Sequence, residues 1–150
     1  MSKLRKKLTK SDRIVLKIIQ GAINWYRYKG QILRFLTLTG IENNQGRKKN
    51  LRLFSEWMRS KMKQFEFCYT RTGEGVNGVI HMLYIGSSVK YKELKKFWLD
   101  LTGYWTVSIS SVRDDRKIMR EMTQQHKKAR YGRSRGWFKG EQQSRLWQSG

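Results

Sequence analysis

The fold is decided by residues 64–85, which read QFEFCYTRTGEGVNGVIHMLYI. Aromatic side chains alternate along residues 64–70, and residues 79–85 are apolar on both faces except at His81. Three glycines and an asparagine between residues 72 and 78 favour a tight turn. The sequence therefore predicts two antiparallel strands joined as a β-hairpin.

Helical and extended patterns alternate on both sides of this hairpin. Further strands are predicted at residues 31–39 and 104–112, helices at 12–26, 51–62, 91–102 and 116–128, and a loop at 40–50. From the first strand the order is βαββαβ, which is the split βαβ arrangement of ferredoxin-like folds. We expect an α+β domain whose antiparallel sheet carries helices on one face and leaves the other free for a site. A generic α+β sandwich is the alternative.

The length of 150 residues is that of one domain, and 38% hydrophobic residues suffice for a core. Basic residues concentrate at both ends of the chain. The predicted organisation is a basic N-terminal arm and helix over residues 1–30, an α+β domain over 31–128, and a basic aromatic C-terminal tail over 129–150.

The charge balance points to an anionic partner. Lys and Arg number 33 against 11 Asp and Glu, which gives a net charge of +22. Such an excess destabilises a compact chain by self-repulsion, which a polyanion relieves. Nucleic acid is the first candidate because each neutralised phosphate releases a counterion. An anionic membrane surface is the second candidate, and a merely solvated basic surface is the third.

Two absences in the sequence narrow the class of protein. No run of about 18 apolar residues is present, which predicts no transmembrane helix and no membrane partner. Cys68 is the single cysteine, so neither an intrachain disulfide nor a cysteine-based zinc site is expected. We expect an intracellular location in cytoplasm, nucleoid or organelle.

His81 is a candidate metal ligand because it is the one polar residue in its strand. A hydrogen-bonded structural histidine is the more ordinary interpretation of such a residue. Glu74 is a second candidate ligand from the adjacent turn, and local spacing offers no complete site.

The predicted C-terminal tail interleaves cations with aromatic residues, a pattern that suits stacking on unpaired bases and contact with phosphates. The alternative is that Trp137 and Phe138 pack the tail against the sheet. The predicted nucleic-acid-binding residues are Lys3, Arg5, Lys6, Lys7, Lys127, Lys128, Arg130, Tyr131, Arg133, Arg135, Trp137 and Phe138.

Several segments, in this order, resemble replication initiators of the HUH endonuclease superfamily. They are RFLTLT at residues 34–39, GEGVNGVIH at 73–81, FWLDLTG at 97–103, WTVSI at 105–109 and SRGW at 134–137. The resemblance implies the split βαβ sheet already predicted. It also implies nicking of single-stranded DNA by a tyrosine on the last helix, with a divalent metal held by two histidines.

The sequence departs from this family at two places. Leu83 stands where the second histidine is expected, and Glu121 stands where the nucleophilic tyrosine is expected. Neither leucine nor glutamate supplies the missing ligand or nucleophile. Tyr131 remains as a displaced nucleophile, about ten residues beyond the family position.

The hypothesis that follows is a noncatalytic relative of replication initiators. It would need no cofactor and would bind nucleic acid through basic arms and an aromatic-rich sheet face, with DNA favoured over RNA. One alternative is an active nickase that uses His81, Tyr131 and Mg²⁺ or Mn²⁺. The other is a structural protein of a ribonucleoprotein or virion.

Overall fold

A computed structural model describes residues 9–39, 44–72, 79–103, 107–123 and 130–139 of the chain. These ranges form α1 (Lys10–Tyr28), β1 (Leu33–Thr39), α2 (Asn44–Lys61), β2 (Phe65–Thr72), β3 (Val79–Gly86), α3 (Tyr91–Thr102), β4 (Val107–Ser111), α4 (Asp115–Thr123) and β5 (Arg130–Arg133). Within the described ranges, no helix combines the length and the hydropathy needed to cross a membrane.

Helix termini follow local capping chemistry. The Thr9 hydroxyl accepts from the backbone N–H of Asp12, and the Asp12 carboxylate accepts from the N–H of Thr9, both at 3.1 Å. This capping box starts α1 two residues before the predicted position. Gly103 ends α3 with φ +81°, and its N–H donates to the Leu99 carbonyl at 2.8 Å.

The loop predicted over residues 40–50 is wrong from Asn44 onward, because α2 begins there. Asparagine and glycine have poor helix propensities, but each costs only about 1 kcal/mol or less per position. Phe54 and Met58 of the same helix are completely buried. Their packing outweighs the local preference of the first turn.

The sheet confirms the α+β, ferredoxin-like class. Its five strands lie in the order β4-β1-β3-β2-β5, with every pair antiparallel. The predicted hairpin is present as β2 and β3. The fifth strand is a correction, since residues 130–133 were expected in a tail and instead pair with β2.

Apolar clusters cover both faces of the sheet. The first core lies under α2 and α3 and includes Leu36, Leu38, Phe54, Met82 and Trp98. The second core lies under α1, α4 and residues 134–138, and includes Ile23, Phe35, Cys68, Leu83, Met122, Trp137 and Phe138. The sequence predicted helices on one face of the sheet. The structure has α2 and α3 on one face and α1 and α4 on the other, so the prediction of an open second face is wrong. The reason is that β1 is apolar on both sides, so both sides require cover.

Candidate nucleic-acid interface

Strand register creates a line of polar side chains across the face of the second core. Thr37 pairs with both Ser108 and His81, His81 pairs with Thr70, and Thr70 pairs with Tyr131. We call these five residues the polar row. Ser108 is exposed at one end, His81 is half-buried, and Thr70 is completely buried. Sequence reasoning singled out His81 and Tyr131 but missed the row, because only register brings together residues from five strands.

His81 occupies the middle of the polar row in its neutral form. Its ring stacks on Phe35, with centroids 5.6 Å apart and planes inclined by 8°, and Nδ1 lies 3.3 Å from Oγ1 of Thr37. Burial lowers the pKa of His81 from 6.5 to about 4. At neutral pH this imidazole is uncharged, so it can donate or accept a hydrogen bond but cannot form an ion pair with a phosphate.

The structure gives His81 no set of metal ligands. Within the described part of the chain, no group of three His, Cys, Asp or Glu side chains lies close enough to hold a metal ion. Leu83, at the family position of the second histidine, is fully buried in the second core. Glu74, the other predicted ligand, lies outside the described residues.

A cleft of about 360 Å³ opens beside the polar row, between β1, β4 and α4. We call it the serine cleft. Its lining is mainly hydroxyl and charged, and includes Thr37, Ser108, Ser110, Ser111, Arg113, Lys117 and Glu121. Arg113 and Lys117 are exposed. Hydroxyls and cations together are the usual protein groups that contact phosphate oxygens. Asp114 and Glu121 also line the cleft, so its two cations are matched by two carboxylates, and the hydroxyls are the groups in excess.

A second groove, of about 420 Å³, lies between α2 and the edge formed by β2 and residues 134–135. We call it the arginine groove, since Arg52, Arg59 and Arg135 line it. Glu56 also lines it and pairs with Arg52 at 3.5 Å, with both side chains largely exposed. The groove therefore has more cations than acids, and Phe67 contributes an aromatic surface.

The structure places the aromatic residues of the predicted tail inside the protein. Trp137 and Phe138 are 0% and 2% exposed and belong to the second core. The rings are therefore not free to stack on bases, which corrects that expectation and favours the packing alternative. The reason is the apolar surface of α1, where Tyr26 contacts both rings.

Tyr131 also points inward. Its hydroxyl is buried beside the Cys68 thiol and the Trp137 indole N–H, at poor hydrogen-bonding geometry. Burial and the neighbouring Cys68 thiol raise its pKa well above the usual value of 10. Such a hydroxyl neither reaches a phosphodiester in solvent nor ionises readily. The expectation that Tyr131 acts as a displaced nucleophile or stacks on a base therefore does not fit its position.

Residues 134–138 are held down as a strap across the sheet edge. The carboxylate of Glu66 accepts from the Ser134 hydroxyl and from the N–H of Gly136, the latter at 3.0 Å. The N–H of Phe138 donates to the Tyr26 hydroxyl at 2.6 Å. A Cβ on Gly136 would lie 2.6 Å from the Glu66 carboxylate, so a larger residue there would displace the carboxylate that holds the strap.

Other predicted binding residues divide into two sets. Arg133 and Arg135 are exposed, as phosphate contacts require. The side chains outside the described part of the chain are Lys3, Arg5, Lys6, Lys7, Lys127, Lys128 and Arg130.

Comparison with known proteins adds a single likeness. No protein-family model and no curated protein matches the chain. Among solved structures, the chain is similar to the hypothetical protein ORF119 from Sulfolobus islandicus rod-shaped virus 1. The two are 13% identical, the match covers 69% of this chain and 90% of that chain, and the TM-score is 0.46.

Proposed function

We propose that this protein binds nucleic acid without cutting it. The observation that carries the proposal is the charge balance. If each of the 11 acidic residues paired with one of the 33 cations, 22 cations would still lack an acidic partner. A polyphosphate chain is the biological partner that neutralises an excess of this size, and it gains free energy by releasing counterions.

The two clefts supply places for such contacts among the described residues. Arg113 and Lys117 accompany four hydroxyls in the serine cleft, where Asp114 and Glu121 also lie, and Arg52, Arg59 and Arg135 line the arginine groove together with Glu56. Phosphate contacts of this kind position a protein on a strand without reading its sequence. The basic residues near the two ends of the chain would add further phosphate contacts.

Three residues support binding without strand cleavage. Glu121 brings a carboxylate, not a hydroxyl, to the serine cleft. Leu83 and the buried Tyr131 supply neither a metal ligand nor an available nucleophile. Because catalysis by a tyrosine needs both an exposed hydroxyl and an activating partner, these positions favour a binding role.

The test is fluorescence anisotropy with labelled single-stranded DNA, duplex DNA and RNA over a range of salt concentrations. We expect log affinity to fall linearly with log salt, with a slope of about −0.7 to −0.9 for each phosphate neutralised. Affinity that is unchanged between low and high salt would overturn the proposal. Comparison of matched DNA and RNA strands tests the preference for DNA.

Paired charge-neutralising variants locate the interface. Arg113→Gln/Lys117→Gln should reduce the magnitude of the salt slope by about two phosphate contacts if both residues bind the strand. Lys92→Gln/Lys96→Gln is the matched control, because it removes the same charge from exposed positions on α3 outside both clefts. An equal reduction of the salt slope in the two variants would indicate that the overall positive charge of the protein, and not the serine cleft, attracts the strand.

Incubation of single-stranded and hairpin DNA with the protein and Mn²⁺, followed by a denaturing gel, tests the absence of cleavage. We expect intact strands and no covalent adduct. A denaturant-resistant protein–DNA adduct would replace the binding role with that of a nickase.

A further inference from the structure

An aromatic cluster at the C-terminal end of α1 packs on the second core through Trp25 and presents Tyr28 to solvent. Tyr28 is 81% exposed, the largest exposure among the large hydrophobic side chains of the described residues. Its ring centroid lies 6.5 Å from that of Trp25, which is half-buried. We call Trp25, Tyr28 and Lys29 the α1 platform. The Tyr28 ring is therefore accessible to a ligand.

The α1 platform packs against the second core through Trp25. Trp25 stacks on Phe138 with centroids 5.4 Å apart and planes inclined by 28°. Phe138 is itself fixed by the hydrogen bond from its N–H to Tyr26 and by burial in the second core. A supported aromatic surface loses little conformational entropy when a ligand stacks on it.

Lys29 gives the platform its charge. Its ammonium lies 4.9 Å from the centroid of Trp25 and 5.9 Å from that of Tyr28. The ammonium lies over both rings and Trp25 also stacks on Phe138, so the exposed ring of Tyr28 is the surface left for a base, whose phosphate would contact the ammonium. A second copy of this chain is a poor occupant, because two molecules each carrying +22 repel one another.

We infer that the α1 platform stacks on unpaired bases, which makes single-stranded nucleic acid the preferred partner. The inference rests on the proposed function and adds to it the form of nucleic acid recognised. In a duplex the bases are stacked on one another and do not present a face to Tyr28, so the platform discriminates between the two forms.

The experiment measures binding of the full chain to a labelled oligothymidine and to a duplex of equal length, at several salt concentrations. Tyr28→Ala should weaken binding to the single strand about 5- to 100-fold, the range for loss of one stacked base. Its salt slope should be unchanged because no charge is removed. Tyr28→Phe should retain wild-type affinity, since the ring is kept.

Leu99→Ala is the matched control, because Leu99 is an exposed apolar residue on α3, the helix that covers the first core. Equal affinity of Tyr28→Ala and wild type for the single strand would overturn the inference. So would an equal loss on single strand and duplex. Vesicles containing phosphatidylserine provide a further arm, and a Tyr28→Ala defect confined to vesicles would replace the strand with a membrane surface.

These outcomes separate the inference from the proposed function. If wild-type protein binds neither oligonucleotide, the proposed function fails and the platform has no strand to hold. If wild-type protein binds with a steep salt slope and Tyr28→Ala binds equally well, only the platform fails.

Discussion

The two cores of this protein share one sheet but differ in how their polar atoms are satisfied. In the first core the indole N–H of Trp98 donates to the Thr39 carbonyl at 2.8 Å. On the face of the second core, the Thr70 hydroxyl is buried without a hydrogen-bond partner, and the buried Tyr131 hydroxyl and Trp137 indole N–H neighbour one another at poor hydrogen-bonding geometry. The second face also carries His81 and the serine cleft.

Polar atoms are therefore better paired in the first core than on the face of the second core, which borders the candidate serine cleft. A buried polar atom that is poorly paired costs up to about 1–3 kcal/mol, so a chain optimised for stability alone would not collect three on one face. Exceptions of this kind concentrate at functional sites. The polar row ends in the serine cleft, where Ser108 and Thr37 meet solvent.

The largest expected effect tests this contrast with two tryptophans that are both 0% exposed. Trp98→Ala should lower the free energy of unfolding by about 3–5 kcal/mol, the range for an aromatic ring removed from a core. Trp137→Ala should cost about 1–2 kcal/mol less, because the indole N–H that it removes is poorly paired, whereas that of Trp98 has a hydrogen bond. Urea denaturation of both variants measures the difference. An equal or greater loss for Trp137→Ala would break the contrast.

The next effect concerns pH and the half-buried His81. Its pKa is about 4 in the fold and 6.5 when unperturbed, so between these values the unfolded chain binds more protons. The free energy of unfolding should therefore fall as the pH falls from 6.5 to 4, by about 3 kcal/mol from this group. Denaturation across pH 4–7 should show a smaller fall for His81→Gln, which does not titrate. Parallel curves for the two proteins would show that His81 is not the cause.

A smaller effect is expected at Tyr131. Tyr131→Phe removes a buried, poorly paired hydroxyl and keeps the ring, so stability should rise by up to about 1 kcal/mol. Nucleic-acid affinity should be unchanged. Tyr84→Phe is the control in the first core, where the hydroxyl donates to the Ser87 carbonyl at 3.4 Å. Thermal unfolding of the two variants gives the comparison, and a clear loss at Tyr131 would reveal a partner that the hydroxyl needs.

The smallest effect is expected on the surface beside the first core. Arg52 and Glu56 are about 60% exposed, and such a pair contributes well under 1 kcal/mol. Arg52→Gln should shift the free energy of unfolding by less than about 0.5 kcal/mol. It should nevertheless weaken binding to a nucleic-acid strand if the arginine groove contacts phosphate. An unchanged binding affinity would exclude the arginine groove from the interface.

Most of the fold was predictable because its signals are local. The hairpin of β2 and β3 follows from alternating aromatics and a glycine-rich turn, and α3 was predicted over residues 91–102, where the structure has it. Strand β5 was missed because its four residues include three that are charged or glycine and pair only through the β2 backbone. No periodicity in the sequence reports such a pairing.

The candidate site was less predictable because it is made by long-range geometry. His81 was identified as unusual from its apolar strand, but its neighbours Thr37 and Ser108 come from other strands through register. Tyr28 was missed because nothing in its local pattern distinguishes an exposed helix end from a buried one. Conversely, the pattern around Trp137 and Phe138 is typical of a nucleic-acid-binding segment, but both rings are buried against α1.

The strap over residues 134–138 has a consequence for the order in which the chain folds during synthesis. The Tyr26 hydroxyl accepts from the N–H of Phe138, so α1 waits for a segment that is made 112 residues later. Contacts this distant in sequence slow folding, because the intervening chain must be ordered first. Until residue 138 has left the ribosome, part of the second core has no cover. The nascent chain therefore exposes apolar surface while those residues are made, and we expect chaperone association to cease once the strap is made.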